Sequence, residues 1–261
     1  MPEIDRLVLF VVDGLRPDGL KEAATPQIDA LRNRSIHTGA ARTVMPSSTL
    51  PCHTSMFRSV PPERHGITTN TWVPQVRPVP SITDVLHRAG KRTAALYNWE
   101  QLRDLSDPGS LDFCCFIRNC DYPAGDLEIA ARAVDWLGRG ETDFAFVYFG
   151  YTDIAGHNHG WMSPPYLEAI GNVDRAIGKV AAKVDDGRTA MIVTSDHGGH
   201  DRTHGTEMPE DITIPWLLCY PGVTPGEIAG AVSIIDNAPT IAALLAVEAA
   251  PDWAGRAILT S

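Results

Sequence analysis

The sequence predicts an α/β fold: a mostly parallel central sheet covered by helices on both faces, in three layers. Near-continuous apolar runs at 7–12, 144–149 and 191–194 read as strands buried on both faces. Helix-period segments alternate with them along the chain. Hydrophobic residues make up 44% of 261 positions, ample for a buried core. That length fits one α/β domain over 1–261, with a small irregular insertion around 98–123.

The first run ends in Asp13-Gly14-Leu15-Arg16, and an isolated Asp-Gly there is usually a turn. Thr25-Pro26 opens a helix to Leu31, with Thr25 as N-cap and Pro26 in the first turn. Residues 35–44 read as another strand. In the stretch 45–56, Ser47, Ser48 and Thr49 precede Pro51, which suits a first helical turn. A hydroxyl there is either an N-cap or a group facing free backbone N–H and the positive end of the helix. The second arrangement suits a nucleophile that receives an anionic phosphoryl group. Arg64-His65-Gly66-Ile67 and Asn70 follow in a loop, and 71–80, with three prolines, continues it. Ser81, with Asp84 three residues on, opens a helix to about Ala89. Residues 93–97 form a short strand, 98–123 are irregular, and 126–137 are an amphipathic helix. The run 144–149 leads into Asp153 and His157, four apart, which one helical turn brings together. A long helix spans 164–184. The run 191–194 breaks into Asp196-His197-Gly198-Gly199, with His200 and His204 in the same loop. A strand at 214–220 and a helix at 237–245 complete the chain.

There are 22 basic and 32 acidic residues, a net charge of −10, and no basic run. This excludes duplex nucleic acid as a partner. Phosphate chemistry on so acidic a chain needs concentrated local positive charge, which metal ions supply. The five cysteines, Cys52, Cys114, Cys115, Cys120 and Cys219, are odd in number and include no CxxC pair. They read as reduced structural thiols rather than a disulfide framework or a zinc–thiolate site. The N-terminus lacks a signal-peptide pattern, and no apolar run nears the roughly 18 residues that span a bilayer. A cytoplasmic location with no membrane partner is expected.

Three predicted strands each lead into an aspartate, Asp13, Asp153 and Asp196, with His157, His197 and His204 nearby. One such ending is a turn. Three with imidazoles alongside are hard to explain structurally, because unpaired buried carboxylates are costly. Ligands bind at the carboxyl ends of strands in open α/β sheets. Carboxylate plus imidazole suits zinc and manganese. Two divalent ions would neutralise the set and clamp an in-line displacement at phosphorus.

At these residues the sequence resembles the alkaline phosphatase superfamily, and most closely its nucleotide pyrophosphatase/phosphodiesterase branch. The resemblance rests on Val11-Val12-Asp13-Gly14, Ala24-Thr25-Pro26-Gln27, Thr49-Leu50-Pro51-Cys52-His53, Arg64-His65-Gly66 through Asn70, Thr152-Asp153-Ile154-Ala155-Gly156-His157, Ser195-Asp196-His197-Gly198 and Thr203-His204-Gly205-Thr206, with 236–245 beyond them. It implies an alkaline phosphatase-like fold and a type I phosphodiesterase acting on a small phosphorylated substrate. One zinc would be held by Asp153, His157 and His204, the other by Asp13, Asp196, His197 and the Thr49 oxygen. Thr49 would be the nucleophile of a covalent phospho-enzyme. Asn70, with the Thr49 backbone N–H, would hydrogen-bond a non-bridging phosphoryl oxygen.

Cys52 stands where the branch usually has asparagine, and its lysine near Ser48 is missing. A sulfatase would need a convertible cysteine or serine at the Thr49 position and an arginine at the His53 position. A phosphoglycerate-mutase-like member would use a serine, here Ser47 or Ser48. A phosphonate hydrolase would use the same threonine and metals. A catalytically inactive binder would have lost a ligand, yet all seven positions are filled. His53, His159 and His200 are further candidates to line the pocket, and Asp201 and Glu207 to support it or face solvent. The nearest candidate cations are Arg16, Arg58 and Arg64, the last two at the far end of the helix that Thr49 begins.

Overall fold

In the computed structural model, which describes residues 3–259, the chain builds an eight-stranded sheet. The order along the chain is β1 (Arg6–Val12), α1 (Pro17–Glu22), α2 (Pro26–Arg32), β2 (Ile36–Arg42), α3 (Thr49–Arg58), α4 (Pro62–His65), α5 (Ile82–Arg88), β3 (Thr93–Tyr97) and β4 (Phe113–Phe116). Then come α6 (Gly125–Leu137), β5 (Phe144–Phe149), α7 (Tyr151–His159), α8 (Pro164–Val184), β6 (Thr189–Thr194), α9 (Pro209–Ile212), β7 (Thr213–Cys219), β8 (Gly226–Glu227) and α10 (Asn237–Leu244). Across the sheet the strands run β4-β3-β5-β1-β6-β7-β2-β8.

β1 shows why its sequence reads as an unbroken apolar run. Leu7, Leu9 and Val11 enter the core shared with α3, α5 and α10, while Val8, Phe10 and Val12 enter the core shared with α2, α6 and α8. A strand buried on both faces has no polar side to alternate with. The two cores make the three layers. Among the described residues no helix is long and apolar enough to cross a membrane.

Three local expectations change. Strands β4, β3, β5, β1 and β6 are parallel, but β7 runs antiparallel to both β6 and β2. The link from β6 to β7 contains only the four-residue α9 and no covering helix, so the chain turns back. Residues 98–123 hold a 3₁₀ turn, Glu100–Asp104, and β4, which extends the sheet beyond β3. Four residues with two adjacent cysteines carry too little periodicity to be read as a strand. Thr25 does not cap α2 through its side chain; its hydroxyl donates to the Leu20 carbonyl at 3.3 Å. The Gln27 and Ile28 N–H groups donate instead to Asp174 of α8, at 3.0 and 2.8 Å. A carboxylate 146 residues away does the capping. Ser81 does cap α5, accepting from Asp84 N at 3.2 Å.

Candidate metal centre

Strands β5, β1 and β6 are neighbours in the sheet, so their carboxyl ends stand side by side. Asp13 follows β1 directly, and Gly14 turns the chain with φ +66°. The positive φ favours glycine, and a Cβ there would also lie tight, 3.1–3.2 Å from Asp153 atoms. β5 passes through Gly150 into α7, which places Asp153 and His157 on one face. The start of α7 is held by buried Asp126, which accepts from Gly150 N at 3.0 Å, Tyr151 N at 3.3 Å and Asn98 Nδ2 at 2.9 Å. β6 delivers Asp196 and His197, and the loop beyond it delivers His204.

The six side chains gather in two sets, Asp153/His157/His204 and Asp13/Asp196/His197, each with its ligand atoms within 4.8 Å of one another. The hydrogen bonds fix how each imidazole presents itself. His157 Nδ1 meets the Arg202 carbonyl at 2.9 Å, His197 Nδ1 the Gly198 carbonyl at 2.8 Å, and His204 Nδ1 the Ser47 carbonyl at 2.8 Å. A carbonyl only accepts, so each Nδ1 carries a proton and each ring turns inward its Nε2, the nitrogen whose lone pair can bind a cation.

Those lone pairs face carboxylates. His197 Nε2 lies 3.2 Å from Asp13 Oδ1 and 3.4 Å from Asp196 Oδ2, and His157 Nε2 lies 3.4 Å from Asp153 Oδ2. One oxygen of two of the acids is held: Asp13 Oδ2 by the Tyr148 hydroxyl, Asp196 Oδ1 by Gly14 N and His197 N at 3.2 and 2.9 Å. The others, Asp13 Oδ1, Asp196 Oδ2 and Asp153 Oδ1, are buried and accept no hydrogen bond. Burial, then the Asp196 and Asp153 charges, push the Asp13 carboxyl well above its ordinary range. Burial and Asp153 push Asp196 up to about 8, and burial raises Asp153. Burial also holds the His197 imidazole well below its usual value. Acceptors facing acceptors in a buried site is an arrangement that cations resolve. The donor set, carboxylate oxygen plus imidazole nitrogen, fits zinc or manganese.

Thr49 is the first residue of α3 and 4% exposed. Its Oγ1 lies 3.3 Å from His197 Nε2 and so faces the carboxylate–imidazole cluster. Ser48, at the N-cap, makes no side-chain cap bond. Asn70 reaches the same helix end, its Oδ1 accepting from Leu50 N at 2.9 Å, so its amide NH₂ is left to donate. The pocket before these groups is walled further by Trp99, Cys120 and Ile154, and no described residue lining it is Lys or Arg.

The turn carrying Asn70 is anchored through His65. Ile67 N donates to His65 Nδ1 at 3.1 Å, so Nε2 carries the proton and donates to Ser55 Oγ of α3 at 2.9 Å. Burial, helped by Arg58, pushes this imidazole from 6.5 down to about 4. Its folded-state value lies below the unfolded one. Its contribution to stability is therefore complete above pH 6.5 and is lost as pH falls toward 4. Guanidinium midpoints should drop across that window, and His65→Gln should flatten the slope. An equal slope in the variant would remove His65 as the cause.

A sequence profile of type I phosphodiesterase / nucleotide pyrophosphatase matches residues 7–212, from β1 to the end of α9. The chain belongs to that family. It is thereby a member of the alkaline phosphatase superfamily. This family member is 28% identical to GPI ethanolamine phosphate transferase 1 of Neurospora crassa, over 86% of its own length and 27% of the relative's. The chain spans about a quarter of the length of the curated relatives it matches. Among solved structures it superposes on murine ectonucleotide pyrophosphatase / phosphodiesterase 5, an inactive threonine-to-alanine variant in complex with AMP. The TM-score is 0.80 at 16% identity, over 95% of this chain and 96% of that one. Phosphonate monoester hydrolase from Silicibacter pomeroyi gives 0.78 at 16% identity, over 97% and 75%.

The other sequence candidates stand elsewhere in this family member. His53, on α3 itself, is fully buried, its Nδ1 on the Thr49 carbonyl at 2.8 Å and 3.4 Å from Asp196 Oδ2. His159 is exposed at the end of α7. His200 pairs with buried Asp211 at 2.7 Å, an arrangement that holds the loop after β6. Asp201 and Glu207 are exposed. Sequence reading missed Tyr148, Asp126 and Trp161. Tyr148 lies inside an apolar strand, and the partners of the other two are distant in sequence, so no local pattern marks them.

Proposed function

We propose that this protein hydrolyses phosphodiesters, with Thr49 as nucleophile and two divalent ions, zinc by choice of ligands, held by Asp153/His157/His204 and by Asp13/Asp196/His197 with Thr49. One observation carries the reading: three inward-facing imidazole Nε2 atoms and three unpartnered carboxylate oxygens converge beside the Thr49 hydroxyl. When bound, the ions supply the positive charge that lowers the hydroxyl's pKa, stabilises the leaving oxygen and activates water. The chain's own groups do the rest. Thr49 Oγ1, giving up its proton to solvent, attacks phosphorus while the bond to the leaving-group oxygen breaks and that oxygen departs protonated as an alcohol. Water then cleaves the threonine–phosphorus ester, releasing the phosphate monoester and restoring the hydroxyl. The Asn70 NH₂ donates to a non-bridging oxygen. Tyr148 and the three backbone carbonyls hold Asp13 and the imidazoles in place before substrate arrives. That the murine phosphodiesterase 5 is inactive with a threonine-to-alanine change is in keeping with a threonine nucleophile. Exposed Cys114 and half-buried Cys115 are free thiols, which suits a cytoplasmic location.

The diester preference rests on charge. A monoester presents three free oxygens, commonly met by an arginine, whereas a diester leaves one esterified. Here Arg16 is bound to Asp18 and the Gly199 carbonyl. Arg58 is bound to Asp107 and the Val79 carbonyl, and Arg64 to the Arg77 carbonyl. The uncharged Trp99–Cys120–Ile154 wall accommodates a substituent instead. On one zinc-loaded preparation, kcat/KM for bis-p-nitrophenyl phosphate should exceed that for p-nitrophenyl phosphate by at least about tenfold, ~1.4 kcal/mol of transition-state binding. Equal rates, or a monoester preference, would overturn the diester reading. Phosphonoacetate belongs in the same panel, because the structural likeness to a phosphonate monoester hydrolase makes a phosphonate the competing substrate.

A further inference from the structure

We propose that Trp161 is the positioning residue of the Asp153/His157/His204 ion, setting its affinity by locking three ligand-bearing segments to one another. The proposal rests on the metal-centre reading above. Trp161 lies just past α7, after Gly160, which turns with φ +96°. It is 7% exposed. Its backbone N–H donates to the Asp201 carbonyl at 2.8 Å, in the loop after β6. Its indole Nε1–H donates to the Gly14 carbonyl at 2.9 Å, one residue past Asp13. Trp161 thus bonds through its side chain to the loop after β1 and through its backbone to the loop after β6, while following α7 in the chain.

The ring itself packs against the ligands. The His157 imidazole stands edge-on to it at 5.1 Å and 84°, and the His204 imidazole at 6.0 Å and 65°. Both belong to one ligand set. Backbone space is cleared for the indole on two sides: a Cβ on Gly156 would lie 2.6 Å from its ring, and one on Gly199 2.2 Å. Gly156 precedes His157 directly, and Gly199 lies in the loop that carries His204. The carbonyl bonds at Nδ1 fix which proton each imidazole carries; the indole face fixes the plane in which each ring sits. Groups that hold a ligand's orientation commonly change metal affinity by ~10–100-fold when removed. Removing the indole also leaves a void between two glycines that cannot fill it.

The test uses metal-free full-length protein titrated with zinc alone, with bound ion counted by elemental analysis after equilibrium dialysis. Wild type should bind two ions. Trp161→Phe, which keeps a ring but loses the Gly14 bond, and Trp161→Leu, which loses both, should keep one tight ion and weaken the other by at least about tenfold. Adding Asp153→Asn to Trp161→Leu should not reduce the tight ion further. The readout that a purely structural role would not move is the split between the two ions: the loss should fall on one site while the second keeps its wild-type affinity. Melting in chelator confirms that each variant is folded. Wild-type affinity for both ions in Trp161→Phe and Trp161→Leu, or equal loss of both ions in a folded variant, overturns the proposal. A wild type that binds no zinc overturns the metal centre itself.

Discussion

Thr49→Ala should lower turnover of a diester by at least about a thousandfold, ~4 kcal/mol in the barrier, while leaving fold and metal content in place. The hydroxyl is directed at the carboxylate–imidazole cluster, 3.3 Å from His197 Nε2, and makes no capping bond for α3. The helix end is held by other groups: Asn70 accepts from Leu50 N, and Ser47 Oγ donates to the Thr206 carbonyl. Removing the hydroxyl therefore takes away a reacting group and little of the scaffold. Three carboxylates and three imidazoles remain to hold metal. Ser48→Ala is the control for a serine nucleophile and should keep most activity. If Thr49→Ala retained more than about a tenth of the wild-type rate while Ser48→Ala did not, the nucleophile would be Ser48.

The sheet and the cluster were legible for one physical reason. A strand buried on both faces must be apolar throughout, so an aspartate immediately beyond it announces itself. Asp13 and Asp196 were found that way, and the four-residue spacing paired Asp153 with His157. What stayed hidden depends on contacts between distant segments. Asp174 caps α2 across 146 residues, so the Thr25-Pro26 signal placed the helix but misassigned its cap. Asp126 opens the amphipathic segment 126–137, and nothing in that pattern shows that its carboxylate holds the start of α7. Trp161 follows the Asp153–His157 stretch closely, yet its meaning lies in Gly14, Gly156 and Gly199, which only the fold assembles. The reversal of β7 was hidden because strand periodicity carries no direction; the signal was the missing helix between β6 and β7.

Asp13→Asn should reverse sign between the metal-free and metal-loaded protein. In chelator the wild type buries three acids that cannot all ionise without repelling one another, so their ionisation is held back at a cost to folding, with Asp13 Oδ1 accepting no hydrogen bond. The amide is nearly isosteric. Its oxygen can accept from the Tyr148 hydroxyl, and its NH₂ would meet the His197 Nε2 lone pair, which lies 3.2 Å from the present Oδ1. The cost of burying an acid whose ionisation is suppressed, and an unpartnered buried oxygen, are exchanged for a hydrogen bond. The metal-free variant should be more stable than wild type by about 1–3 kcal/mol. With zinc the order should cross. An ion that binds only the folded state at a hundred times its dissociation constant adds about 2.7 kcal/mol, and two add more. The variant forfeits the ion held by Asp13/Asp196/His197, along with that ion's charge beside Thr49. Turnover should fall by at least about a thousandfold, the larger effect of the two. Denaturant melts of both proteins, in chelator and in zinc, read the crossing, and elemental analysis should show one fewer ion in the variant. A variant less stable than wild type in chelator, or one retaining the full zinc complement, would mean that these carboxylates are not held apart from their preferred state for the sake of a metal.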